Sequence, residues 1–399
     1  MEASALQGLK VVDLTRVVAG PLCTQILADH GADVVKVEAP EGDETRRLGP
    51  PFDAHGDAAY FSGLNRNKRS IALDLGVPAA REVLLRLIAG ADVLVENFLP
   101  GTMRKWGLDY ETILAPRFPR LVYCSVTGFG ADGPMGGKPG YDAVAQALCG
   151  LMSVNGFPET GPTRVGIPVV DIATGMNATI AILLALAERS RSGRGQRVEA
   201  TLFDTALALL HPHAANSLIG GVEPRLPGNA HPSISTYDTY QAADGRIFLG
   251  IINDTQFRKF CALLGREDVP GDERFVSNAS RMANRPALRE AIEEMLRGHT
   301  VSSLFERLMA AGIPTGVVRS IPQAIADPHA AHRGMIVGSG AYRGINAAQA
   351  LSRTPASLRS IPPTYARDTR EILESAGYGA AEIEILVASG VAPLKKRLG

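Results

Sequence analysis

LKVVDLTRVVAGPLCTQILADHGADVVKVE, residues 9–38, sets the fold class. Leu9–Leu14 and Asp33–Glu38 are short, nearly unbroken apolar runs, and Pro21–His30 between them reads as a helix. A strand buried on both faces is apolar throughout, and two such strands joined through a helix make a parallel βαβ unit. The pattern continues with runs at Ser70–Leu75, Val93–Glu96 and Leu121–Thr127, and with helical segments over Pro78–Ala89 and Thr102–Leu114. The expectation is an α/β protein whose larger lobe is a doubly wound, mostly parallel, Rossmann-like sheet with helices on both faces. Ligands of such sheets bind beyond the carboxyl ends of the strands, so the turns that follow the strands are where a site is sought.

Further along, GFGADGPMGGKPG (128–140) is a glycine-rich loop, with a helix beginning near Tyr141. Asp171 opens a long helix from Ile172 to about Ser190, and SRSGRGQ turns into a strand at Arg197–Thr201 and a helix from Phe203. The texture changes after Gly220. PRLPGNAHPSIS (224–235) is loop-like, and Tyr237–Gln241 and Arg246–Ile251 flank an Ala-Asp-Gly turn as an antiparallel hairpin. Helices near Thr255–Leu264, Arg285–Arg297 and Val301–Ala311 follow. The expected organisation is a large lobe over 1–220, a smaller α+β lobe over 225–320, and a return segment over 321–399 that completes the large lobe.

A chain of 399 residues exceeds one ordinary domain, consistent with two cores. Acidic and basic residues balance at 41 each, leaving no net field to hold a nucleic-acid backbone. The longest apolar stretch, Ala178 to Ala187, falls short of the ~20 residues a bilayer span needs, and Met1–Gln7 has no signal-like region. Cys23, Cys124, Cys149 and Cys261 lack paired spacing and read as reduced thiols. The expectation is a cytoplasmic enzyme with neither membrane nor nucleic-acid partners.

Gly128, Gly130 and Gly133 match GxGxxG after a strand, but Pro134, Gly136, Gly137, Pro139 and Gly140 keep that loop from opening directly into a helix. The turn after the first strand, TRVVAGP, has a single glycine, which also argues against dinucleotide binding. Lys138 is no P-loop lysine, because Pro139 and Asp132 stand where Ser/Thr and Gly are required. There is no GxSxG elbow, and His211 and His213, two apart, point away from each other on a helix. Asp171 is the more informative residue. It follows an apolar run and stands at the start of a strongly helical stretch, where Asp is also a favoured cap. Two features add to that bland reading: Gly175 suggests that something approaches the backbone closely, and the helix dipole would keep the carboxylate ionised as a nucleophile requires.

At this segment the sequence resembles the family III CoA transferases, a group that includes formyl-CoA and carnitine CoA transferases and acyl-CoA racemases. The resemblance runs through residues 6–40, 63–75, 91–111, GYDAVAQALCG (140–150), DIATGM (171–176) and GRGQRVEATLFD (193–204). It implies that Asp171 attacks a donor thioester and carries the acyl group and then CoA as an anhydride and a thioester. CoA is then a substrate, and neither a tightly bound cofactor nor a metal is implied. It further implies CoA contacts at Val18, Asn65, Lys68, Arg69, Asn97, Phe98, Arg104 and Lys138. Tyr141 stands where the racemase relatives carry histidine; a phenol is a poor base, which favours transfer over racemisation. Asp142 is expected to orient the site. The region GIINDTQF (250–257) lacks the glycine run of the formyl-CoA enzymes and, with GNAHPSIS (228–235), looks more like members that use succinyl-CoA and dicarboxylic acids. On that reading His231 or Arg16 would meet an acceptor's second carboxylate. The resemblance also implies an interlocked homodimer. An acyl-CoA racemase and a non-catalytic CoA-binding protein remain as alternatives.

Overall fold

The computed structural model describes residues 4–396. Six strands form one sheet: β1 (Lys10–Asp13), β2 (Asp33–Glu38), β3 (Lys68–Ala72), β4 (Val93–Glu96), β5 (Val122–Thr127) and β6 (Arg197–Thr201). Their order is β3-β2-β1-β4-β5-β6, and every pairing is parallel. Alternation along β1 divides the interior. Val12 and Leu14 join Ile71, Leu84, Ile88 and Leu94 in the core beneath α2 (Pro78–Ala89), whereas Val11 joins Val34, Val93, Val122 and Cys124 on the other face. That second face is covered by α1 (Ala19–Asp29), through Cys23 and Leu27, and by a long helix at Val169–Ser192, through Ala178, Ile182 and Ala185. Each fully buried aliphatic side chain contributes about 1.5–3 kcal/mol. Helices Thr369–Ser375 and Ala380–Ala388 close the first core with Ile372, Leu373 and Ile383.

Two compact units result. One comprises the residues up to Leu151, Val165–Leu210 and Pro328 onward; the other comprises Met152–Arg164 and His211–Asp327. The second unit therefore extends past the 225–320 read from the sequence. It takes in Met152–Arg164 because Gly156–Phe157 and Gly161–Pro162 pair as a small hairpin, to which the Gly228 N–H donates at the Gly156 carbonyl. Its sheet is antiparallel, with Thr236–Gln241 and Thr315–Val317 flanking Arg246–Ile251. Helices Asp254–Leu263, Arg285–Leu296 and Val301–Ala310 supply Phe257, Phe260, Ile292, Leu304 and Leu308 to its core.

Three expectations change in detail. The segment 102–114 is not one helix but a short helix at Thr102–Lys105 and a wide turn at Tyr110–Leu114, because Gly107 takes a positive φ of 72° and the Asp109 side chain caps a new start. β3 lies two residues earlier than read, which puts Lys68 and Arg69 inside the strand. The helix at Val169–Ser192 runs 24 residues, longer than its apolar stretch suggested. By length and a mean hydropathy of 1.9 it alone among the described residues could cross a membrane, yet one side of it lies in the core against α1. All four cysteines are free and buried.

Candidate active site

The sheet's strand order reverses between β1 and β4, and a crevice opens beyond their carboxyl ends. Asn97, just past β4, ties the two loops together: its Oδ1 accepts the Arg16 N–H at 3.0 Å and its Nδ2 donates to the Arg16 carbonyl at 2.7 Å. The next residue, Val17, sits at φ 70°. A β-branched side chain in the left-handed region costs on the order of 1–3 kcal/mol and persists only where its surroundings impose it. Here the Asn97 clamp and the start of α1 impose it.

The nucleophile candidate lies across this crevice. The long helix, α4 in chain order after α1, α2 and α3 (Asp142–Leu148), begins at Val169, so Asp171 lies inside the first turn rather than at the cap. The N-cap residue, Pro168, offers no side chain to the free N–H groups. Asp142 offers its own: Oδ1 accepts from Val170 N at 2.8 Å and from Asp171 N at 3.1 Å. Its Oδ2 accepts from Gln146 Nε2 at 2.6 Å. Gly175 is explained by packing, not by a ligand: a Cβ there would come within 2.5 Å of the Ala19 carbonyl oxygen of α1. The Asp171 carboxyl is pushed up to about 7, first by burial and then by the charge of Asp142. That reverses the expected effect of the helix dipole. No described residue donates a hydrogen bond to the carboxylate, and no described cluster of His, Cys, Asp and Glu could hold a metal ion.

A cleft of about 180 Å³ brings Asp171 together with Arg16, Val17, Val18, Asn97, Phe98, Lys138 and Tyr141. The glycine-rich loop closes onto it because Gly128 and Gly140 lie back to back; a Cβ on Gly128 would fall 2.8 Å from the Gly140 Cα. Tyr141 is 63% exposed at the N-terminus of α3, and Arg16 makes only a loose 3.8 Å pair with Glu44, leaving both available to a ligand. A second groove of about 240 Å³ shares Arg16 and Phe98 and continues along Ala39, Gly42, Leu73, Asp74, Gly76 and Trp106. Sequence reading missed Leu73–Gly76, whose apolar start reads as a continuation of β3, and Gln146, which carries no motif.

Other expected contacts fall elsewhere. Lys68 is fully buried and donates to Asp13 Oδ2 at 3.0 Å, to the Pro21 carbonyl and to Asn65 Oδ1. Asn65, equally buried, also donates to the Phe61 carbonyl. Arg69 is held by Asp33 and Glu371. Lys68 and Asn65 are thus committed to a buried polar network around Asp13, and Arg69 to a partly exposed pair of acids, so none of the three is free for a phosphate. Arg104, paired with Asp109 at 3.0 Å, lines a neighbouring cleft behind Phe98–Pro100 instead. His231 belongs to the second unit; its Nδ1 accepts from Ser233 N, and its ring meets Tyr237 edge-on. Burial, then Arg285 and His213, push its pKa down, which makes it a poor cation for a carboxylate.

Comparison with known proteins identifies the family. The sequence profile of CoA-transferase family III matches residues 6–369. A succinate–glutarate CoA-transferase from Agrobacterium fabrum is 40% identical over 387 residues, covering 96% of each chain. An acetyl-CoA:oxalate CoA-transferase from Acetobacter aceti is 39% identical over 336 residues, covering 84% of this chain and 85% of that one. The crystal structure of a CAIB/BAIF family protein from Brucella suis superposes with a TM-score of 0.86 at 41% identity, covering 94% of this chain and all of that one.

Proposed function

The chain belongs to CoA-transferase family III and is a CoA transferase, and on that premise we propose that Asp171 is its covalent nucleophile and that its acceptor is a small dicarboxylic acid, with succinyl-CoA a fitting donor. One observation carries the reading: a carboxyl to which no described residue donates a hydrogen bond, and which burial and Asp142 make basic for an aspartate, faces the crevice where the sheet order reverses. The Asp171 carboxylate attacks the donor acyl carbon, forming a mixed anhydride and expelling CoA thiolate. The thiolate attacks the aspartyl carbonyl of the anhydride, which gives an aspartyl-CoA thioester and releases the donor acid as its carboxylate. The acceptor carboxylate attacks that thioester, forming a second anhydride and thiolate. The thiolate then takes the acceptor acyl group and regenerates the Asp171 carboxylate. Each step exchanges one activated acyl group for another, so no large barrier accumulates. Tyr141 donates its O–H to an oxyanion or carboxylate in the cleft.

Arg16 supports the dicarboxylate reading: an exposed guanidinium on a rigid loop beside Asp171 suits a distal carboxylate. The named relatives use glutarate and oxalate as partners, in agreement. The groove that runs from Arg16 and Phe98 to Trp106 offers the nucleotide end of CoA a track, with Lys138 a cation for its phosphates. The protein works as a homodimer in the cytoplasm; exposed Ile180 and Leu184 on α4 support an apolar partner face. A fully active monomer by light scattering would overturn the dimer.

The test is trapping. Turnover of succinyl-CoA with hydroxylamine should leave an adduct on Asp171, and Asp171→Ala should abolish transfer while CoA still binds. Continued turnover with no adduct at 171 refutes the scheme.

A further inference from the structure

We propose that Gln146 is a positioning residue for acyl transfer: it fixes the Asp142 carboxylate beneath the first turn of α4 and so keeps a negative charge beside Asp171. The proposal rests on the reading of Asp171 as nucleophile. Gln146 is fully buried on α3, one turn after Asp142. Both ends of its amide are committed: Nε2 donates to Asp142 Oδ2 at 2.6 Å, and Oε1 accepts from Val165 N at 2.8 Å. The Val165 N–H can meet only an oxygen, so the Gln146 NH₂ is turned toward Asp142. Asp142 therefore receives three N–H donors, from Gln146, Val170 and Asp171. All three contacts are N–H groups donating to carboxylate oxygens, so together they hold the Asp142 side chain in one orientation.

The charge so fixed lies beside Asp171, whose carboxyl it helps to hold up at about 7. A more basic carboxylate is a stronger nucleophile toward a thioester. Other titratable groups do not take over this role. Tyr60 feels both carboxylates, its phenol pushed up by burial and then by Asp171 and Asp142. Arg16, Glu44, Lys138 and Tyr141 line the open cleft. The neighbouring helices bring Cys23 and Asp29 on α1 and Asp204 on α5 (Leu202–Ala208), and Cys149 follows α3. None of these groups is hydrogen-bonded to the side chain of Asp142 or Asp171. A chain of hydrogen bonds thus runs from Val165 through Gln146 and Asp142 to the start of α4.

The test is the pH profile of kcat/KM for the full-length enzyme. In Gln146→Leu, Asp142 loses the donor that fixes its carboxylate under α4, so its charge is no longer held beside Asp171, which then ionises at lower pH and becomes a weaker nucleophile. The acid limb should move down by about one pH unit, the alkaline plateau should fall about 3–10-fold, and CoA affinity should stay within about twofold. In Gln146→Glu, the introduced carboxylic acid can still donate to Asp142 while protonated, so activity relative to wild type at the same pH should be retained at the acid end and fall behind as that acid ionises. A uniform loss in Gln146→Leu with the limb in place overturns the proposal. If Gln146→Leu does not fold, a Gln146→Glu profile identical in shape to wild type overturns it instead. Hydroxylamine trapping on the wild-type enzyme separates the premise: an adduct at Asp171 with an unmoved limb removes Gln146 alone, whereas no adduct removes the nucleophile itself.

Discussion

Replacing Asp171 by asparagine should make the protein inactive and more stable at once. The carboxyl is held up from 3.8 to about 7 in the folded chain. A group whose folded pKa is raised contributes its full stability below the unfolded value and loses it as pH rises through the folded value. At pH 8 the ionised Asp171 is therefore a liability. Three pKa units correspond to about 4 kcal/mol as a ceiling; the side chain is partly open to the cleft, so solvent screening reduces the expected gain of Asp171→Asn to about 1–3 kcal/mol. The gain should shrink as pH falls through 7 and be nearly gone at pH 4. Urea titrations of both proteins at pH 8.5, 7 and 4 read it directly. Equal or lower stability of the variant at pH 8.5, or a difference that does not change with pH, refutes the assignment of a strained charge at this position. A purely structural aspartate, acting as a helix cap, would give the opposite sign.

The same carboxyl sets the acid limb of wild-type kcat/KM: the ionised fraction falls from about half at pH 7 to about 1% at pH 5, so a loss of about 50-fold is expected, and a profile flat across that range contradicts it. Arg16→Gln should raise KM for a dicarboxylate acceptor about 10–100-fold and leave a monocarboxylate of similar size unaffected; equal effects on both would show that Arg16 does not read the second charge. Asn97→Ala removes both ties to the Arg16 peptide, and kcat/KM should fall about 10–100-fold; partial recovery on adding Val17→Gly, which relieves the left-handed strain, is expected from the same geometry and is read by steady-state kinetics. Lys68→Met should destabilise the fold by about 3–5 kcal/mol, because Asp13 is left buried without its partner. CoA affinity of the folded fraction should be unchanged, and a selective loss of that affinity would restore Lys68 as a phosphate ligand.

Local pattern determined much of this protein. Val-rich runs separated by helices specified a parallel sheet, and an acidic residue opening an apolar helix beside a glycine drew attention to Asp171. These features were legible because strand and helix periods, and the demands of a helix start, involve residues close together in sequence. The tertiary structure decided what those residues do. Whether Lys68 meets a phosphate or an internal aspartate depended on where Asp13, Pro21 and Asn65 come to stand around it, which its place in the sequence does not disclose. Gly175 proved to be room for α1, a partner more than 150 residues away in the chain. Gln146 carries no motif, because its meaning comes from where Asp142 and Val165 stand around it. The proton affinity of Asp171 was hidden for the same reason: sequence places a carboxyl on a helix, but burial and a second charge, brought together only by folding, set how tightly it holds a proton.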